Sequence, residues 1–363
     1  MGPVAHLYVH VPFCAHRCGY CDFVTVTGNE DRHAAYIDAL LAEFDSERRL
    51  LATPLTTIFI GGGTPTLLGP ALLDRLLGSL PTASEITVEA NPETVDDALA
   101  EVLVRHGARV SLGAQSFGAR ELAVLERRAT PETVRAAVAT LRGAGVANLN
   151  LDVLFGIPGE TRAALDRDID SALALEPDHL SCYELEAKPG TRFTHAHGAE
   201  LARQAELLED HYEHVIERLE AGGYRWYETA NYCRGDRRCR HNLAIWRGED
   251  YLGIGVGAVS TIGLLRRRNG PRLAPYLDAL DRGDTPIRVR EDLSPDERLH
   301  ERIMLGLRLD EPMEVEPVRD GLDLPEVERL AGLGLVREDG GTLTLTRRGR
   351  MVANDVISRL ITE

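Results

Sequence analysis

The chain has 363 residues, 57 acidic against 41 basic side chains and a net charge of −16; this excludes nucleic acid as a partner, because such affinity rests on basic clusters that displace counterions. Hydrophobic residues make up 44% of it, enough for a buried core, yet no run approaches the roughly eighteen apolar residues of a membrane span. The opening segment MGPVAHLYVH lacks the basic and apolar regions of a signal peptide, so the six cysteines point to a cytoplasmic, reducing setting and to metal or redox chemistry instead of disulfides.

In chain order, the apolar run His6–Phe13 leads directly into three cysteines, Cys14-x3-Cys18-x2-Cys21. Three thiolates from one tight loop suit a [4Fe–4S] cluster whose fourth iron stays open to another ligand. Structural zinc usually wants four protein ligands, and three thiols cannot be satisfied by pairing among themselves. β-rich runs at Leu7–Val11, Thr57–Ile60, Ile86–Glu89, Val110–Gly113, Leu149–Leu154 and Leu180–Leu185 alternate with helical segments at Tyr36–Leu51, Leu72–Leu80, Val95–His106, Glu132–Arg142 and Arg162–Leu175. The alternation predicts the α/β class, with six βα units as a partial or full barrel and a doubly wound sheet as the alternative.

Each strand ends in polar or glycine-rich residues, where α/β barrels collect their reactive groups. Gly61-Gly62-Gly63 would let a ligand approach the backbone and leave amides free for its charged end. Glu89 could accept from an ammonium, Asp152 could hold ribose hydroxyls, and Arg127 could pair a carboxylate in a fork. Each residue alone reads as structural; together they describe a pocket for an amino-acid-plus-nucleoside ligand beside an iron–sulfur cluster.

A longer helix, Glu200–Ala221, follows and stops at Gly222-Gly223. His195 and His197 read as part of a polar loop, Cys182 as a buried thiol, and Cys233-x5-Cys239-x-His241 as either a mobile surface loop or a ligand set. The basic runs Arg237, Arg238 and Arg240, and Arg266–Arg268, read as solvated loop faces, and Arg266–Pro275 as a loop or linker. Ser294-Pro295-Asp296-Glu297 starts a helix, Leu324–Gly332 is another, and a hairpin turns at Asp339-Gly340-Gly341 before a closing helix, Arg347–Leu360. This winged-helix-like α+β end carries nine Arg against thirteen Asp plus Glu over residues 300–363, which favours packing or a protein partner over DNA. The resulting division is 1–225, 226–293 and 294–363.

The loop Cys14-Ala15-His16-Arg17-Cys18-Gly19-Tyr20-Cys21 resembles the CxxxCxxC signature of the radical S-adenosylmethionine (SAM) superfamily. GGGTPT, VEANPE, GAQSF and NLDVLFGIPG resemble, in order and spacing, its HemN/HemW branch, from about Leu7 to Ser260. The resemblance implies a partial (β/α)6 barrel, a [4Fe–4S] cluster on Cys14, Cys18 and Cys21, and SAM chelating the open iron, whose one-electron reduction would release a 5′-deoxyadenosyl radical. By motif position, Tyr8, Gly62 and Glu89 would contact that SAM. Phe23, Gly63, Thr64, Gln115, Arg127 and Asp152 match positions lining a second SAM site in the decarboxylase relatives. Phe23 stands where HemN-type enzymes carry a fourth cysteine, as in the HemW heme chaperones, and HNLAIW resembles their HNxxYW segment. This implies heme or another tetrapyrrole as ligand, with Cys239 and His241 as the candidate heme region, a low-potential electron donor and a heme-acceptor protein. Ile245 replaces the family tyrosine and Val259 a frequent histidine. The alternative implied is an active radical SAM enzyme: a porphyrinogen decarboxylase, a methyltransferase or a cyclopropanase.

Overall fold

The computed structural model describes residues 2–186, 188 and 192–362. Six strands, β1 (His6–Val11), β2 (Leu55–Gly62), β3 (Ala83–Ala90), β4 (Arg109–Gln115), β5 (Leu149–Phe155) and β6 (His179–Glu184), each pair in parallel with the next. Between them run α1 (His33–Glu47), α2 (Gly69–Ser79), α3 (Asp97–Arg105), α4 (Ala119–Val124), α5 (Pro131–Ala144) and α6 (Arg162–Ala174). An unbroken order from first to sixth strand is a barrel wall, whereas a doubly wound sheet reverses at a switch point. After α7 (Arg192–Ala221), β7 (Arg225–Trp226) and β8 (Asn231–Cys233) extend the β6 edge in antiparallel fashion. Beyond α8 (Arg240–Trp246), β9 (Leu252–Ile254) joins β1 in parallel at the other edge. The two edges do not pair among the described residues, so the barrel is partial.

Alternation along each strand builds the two faces. Leu7, Val9, Ile58, Ile60, Val88, Val110, Leu112, Leu151, Val153 and Leu180 belong to the buried apolar core beneath the helices. The intervening positions (His6, Tyr8, His10, Thr57, Glu85, Glu89, Arg109, Ser111, Asn150, Asp152, His179, Ser181) turn inward, so the barrel interior is polar from floor to mouth. Cys182, 4% exposed, sits on the apolar side as a buried thiol.

The region after α8 is more ordered than its sequence suggests. Residues expected to form a linker instead build β11 (Leu265–Asn269), flanked by β10 (Val259–Ile262) and, after α9 (Leu273–Asp281), by β12 (Arg288–Asp292). Two of the arginines expected on a solvated face are paired, Arg267 with Glu47 at 2.9 Å and Arg266 with Glu301 at 2.7 Å, and Arg288 on β12 pairs with both Glu43 and Glu47. Glu43, fully buried, also accepts from Tyr276, Asn269 and the Gly255 amide, locking this sheet onto α1. His195 and His197 lie within α7, which starts well before Glu200. Cys233, Cys239 and His241 are buried, so no mobile surface loop carries them.

The C-terminal end has a core of its own around Ile303, Leu307, Val327, Leu343 and Ile357. It comprises α10 (Pro295–Gly306), β13 (Met313–Glu314), α11 (Leu324–Gly332), the hairpin β14 (Val336–Asp339) and β15 (Thr342–Leu345), and α12 (Arg347–Met351) with α13 (Ala353–Leu360). Ser294 and Glu297 form a capping box at the start of α10. The expected closing helix is two, broken at Val352.

Candidate cluster and cofactor site

The C-terminal ends of β1 to β5 meet at one mouth. The cysteine loop leaves β1 and is tied down on both sides: the Cys14 amide donates to Val26 O at 3.0 Å, and the Val26 amide to Pro12 O at 2.8 Å. Thr64, after β2, directs its hydroxyl toward Cys14 Sγ at 3.8 Å, and Arg127 directs a guanidinium nitrogen toward Cys18 Sγ at 3.8 Å. Asn91, after β3, links these two: its Nδ2 donates to Thr64 Oγ1 and its Oδ1 accepts from Arg127, each at 2.9 Å. Arg127 also donates to Gly113 O on β4. A cavity of about 170 Å³ opens here, lined by Cys18, Thr64, Asn91 and Arg127 among others. Sequence reasoning passed over Asn91, although it lies inside VEANPE.

Burial pushes the Cys14 thiol up to about 11 against the Thr64 hydrogen bond, and burial also raises Cys21. Metal binding here therefore displaces thiol protons. Among the described residues no three His, Cys, Asp or Glu side chains converge at single-ion spacing.

The glycine run does other work than expected. Gly62 has φ +111°, and a Cβ there would meet the His10 ring at 2.3 Å; at Gly63 it would meet Phe13 O at 2.6 Å. The amides are occupied within the chain, contrary to the expectation that they stay free: Gly62 N–H donates to Glu89, Gly63 to Val11 O and Thr64 to Phe13 O. The glycines admit neighbouring parts of the chain itself.

Glu89 sits half-buried on β3 facing inward. Burial pushes its carboxyl up to about 7 against the Gly62 N–H, with Asp152 adding to the rise. Tyr8 donates to His10 Nδ1 at 3.0 Å while His10 Nε2 donates to Val24 O, which fixes the neutral tautomer and braces the cysteine loop. Burial raises Asp152 against the Asn150, Ser181 and Ser111 hydrogen bonds that hold it. Gln115 ends β4 at φ 66°, a left-handed conformation uncommon for a non-glycine residue. The next turn is clamped by buried Asp168 of α6, which accepts from Phe117 N at 3.0 Å and from the Ser116 hydroxyl. Phe23 stands 63% exposed after the third cysteine.

Cys239 and His241 lie elsewhere. α8 plugs the opposite, N-terminal end of the barrel, where the Arg240 and His241 amides donate to Glu85 at the base of β3. His241 Nδ1 shares Thr57 Oγ1 with His6 Nδ1, both at 2.8 Å. The His241 ring is 4% exposed and packs 5.2 Å from Phe59. Cys239 is fully buried beside Tyr227. The structure thus brings together the cysteines, Thr64, Glu89, Gln115, Arg127 and Asp152, and separates the HNLAIW residues from them by the depth of the barrel.

A polar-lined α/β half-barrel with three cysteines on the loop after its first strand defines a radical SAM protein, and residues 8–172 match the family model of the Radical SAM superfamily. Residues 293–352 match the HemN C-terminal domain. The heme chaperone HemW of Mycobacterium tuberculosis (strain H37Rv) is 36% identical over 98% of this chain and 94% of its own length. That of Bacillus subtilis (strain 168) is 32% identical over 98% and 99%, and that of Escherichia coli (strain K12) is 38% identical over 70% of both. The solved structure of E. coli coproporphyrinogen III oxidase (HemN), a radical SAM enzyme, superposes with a TM-score of 0.80 at 24% identity, covering 98% of this chain and 89% of that one. The chain belongs to the HemW family. No helix among the described residues is long and apolar enough to cross a membrane.

Proposed function

We propose that the chain is a heme chaperone that holds a [4Fe–4S] cluster on Cys14, Cys18 and Cys21, binds SAM at the barrel mouth, and passes heme to an acceptor protein in the cytoplasm. The single observation that supports the cofactor site best is the Thr64–Asn91–Arg127 network, which reaches two of the three sulfurs from the ends of β2 and β3 and from the α4–α5 connection. Once bound, the cluster supplies one-electron reduction at the sulfonium of SAM. Glu89 would take the SAM ammonium with Tyr8 and Gly62 beside it; Phe23, Gly63, Thr64, Gln115, Arg127 and Asp152 would line the adjoining space. A low-potential electron donor would reduce the cluster. All six cysteines are free thiols, which supports the cytoplasmic reading.

The heme reading rests on the family, with Cys239 and His241 as the carried-over candidates. Their burial in the barrel floor favours a framework role for both, and Ile245 and Val259 supply no aromatic or imidazole group in compensation. The test is hemin titration of anaerobically reconstituted protein, followed through the Soret band. Saturable binding with transfer to an apo-hemoprotein supports the chaperone; absence of a Soret band overturns it. The intact set of mouth residues also keeps a radical enzyme in view, and formation of 5′-deoxyadenosine under strong reductant would identify one.

A further inference from the structure

The structure gathers Arg237, Arg238 and Arg240, expected as a solvated face, around a cavity of about 380 Å³ against the N-terminal ends of β3, β4 and β5. This lies at the floor of the barrel, away from the cysteine loop, and its volume falls in the range of small-ligand sites, about 300–1,000 Å³. Arg109, on the same wall, is 4% exposed, and its Nε is buried without a hydrogen-bond partner among the described residues. Glu85 and Asp236 also line the cavity, and Glu85 and Asp152 favour the Arg109 charge without bonding its Nε. Glu85 accepts the Arg240 and His241 amides, each at 3.1 Å, and Asp152 is held by Asn150 and Ser111. Arg238 is paired with Glu311 and Asp236. The side chains of Arg237 and Arg240 are exposed, and no ion pair engages them among the described residues. Asn148 adds a carboxamide whose oxygen is buried and unpartnered.

A buried N–H donor without an acceptor, such as the Arg109 Nε, is costly unless a ligand supplies one. In a chain of net charge −16, unpaired arginines gathered around one concavity describe a receptor for a planar or tetrahedral oxyanion. We propose that this cavity binds the carboxylate or phosphate group of a small ligand, held by Arg109 from within and by Arg237 and Arg240 at the rim. The site is separate from the cluster mouth and does not depend on the heme reading.

The test compares the full-length protein with R237Q/R240Q and with R48Q/R290Q, a control that removes the same charge from other exposed positions. Each is titrated with inorganic phosphate and succinate by calorimetry, and with hemin and hemin dimethyl ester by absorbance. At least one anion should bind, and R237Q/R240Q should weaken it about tenfold or more while the control does not. Loss confined to phosphate or succinate identifies a free anion as the ligand. Loss for hemin, matched by esterifying its propionates, identifies a porphyrin carboxylate. R109Q should weaken binding about tenfold or more as well, because it removes the Nε donor that faces the ligand. No anion binding, or equal weakening in both double variants, overturns the proposal. Hemin and its ester binding alike to every protein would leave the heme reading intact while removing hemin as this cavity's ligand.

Discussion

Glu89 shows how one inward side chain ties stability to ligand binding. Its carboxyl is pushed up from 4.5 to about 7, so the folded chain keeps a proton that the unfolded chain has released. Stability of the ligand-free protein therefore falls as pH rises from 4.5 through about 7, the range in which the folded state binds more protons. Because the group is half-buried, the cost is discounted to about 1–2 kcal/mol. E89Q should be more stable than the parent at pH 8 and equal to it near pH 4, as read by urea denaturation, while its SAM affinity falls about tenfold or more in calorimetry. His241 presents the reverse case. Burial pushes its imidazole down to about 3, so it stays neutral and serves the Thr57 hydrogen-bond chain. H241A should lower stability by about 2–4 kcal/mol, through a floor cavity and the lost hydrogen bond to Thr57, and leave heme stoichiometry unchanged. Unchanged melting with lost heme binding would instead make it a ligand.

At the scale of elements, α6 steadies the site through one contact. Asp168 holds the turn that directly follows Gln115, the residue in the left-handed conformation. D168A should cost about 2–3 kcal/mol and weaken SAM binding together with stability, measured by melting temperature and calorimetry on one sample. All six βα units were legible in the sequence because their strands alternate with period two and their helices follow period 3.6. β11 was not legible. Its arginine run carries surface-like propensity, and what makes it a strand is pairing with Glu47 and Glu301, far away along the chain. The start of α7 was hidden for a related reason, since His195, His197 and Gly198 punctuate the sequence like a loop. At the site, motifs indicated which residues would meet, yet they could not reveal that the glycine amides are consumed internally. Nor could spacing show that HNLAIW folds to the far end of the barrel.

For the whole molecule, the C-terminal module is held to the barrel by ion pairs, hydrogen bonds and a cation–π contact. Arg350 lies 3.6 Å over the Trp226 ring and donates to the Trp226 and Glu228 carbonyls. Glu311 receives both Arg238 and Arg247, and Arg347 pairs with Glu220. R350A should cost about 2–4 kcal/mol and separate the module's unfolding from that of the barrel, seen as a split calorimetric transition; a single unshifted transition would show that the interface does not depend on it.

The central claim is that the three thiols hold a cluster with one iron open to SAM. Its most direct test is electron paramagnetic resonance of the dithionite-reduced, reconstituted protein with and without SAM, alongside iron and sulfide counts. The account predicts about four irons per chain and a cluster signal that changes when SAM is added, both lost in C14A/C18A/C21A. A single bound metal, or a cluster signal indifferent to SAM, would contradict it.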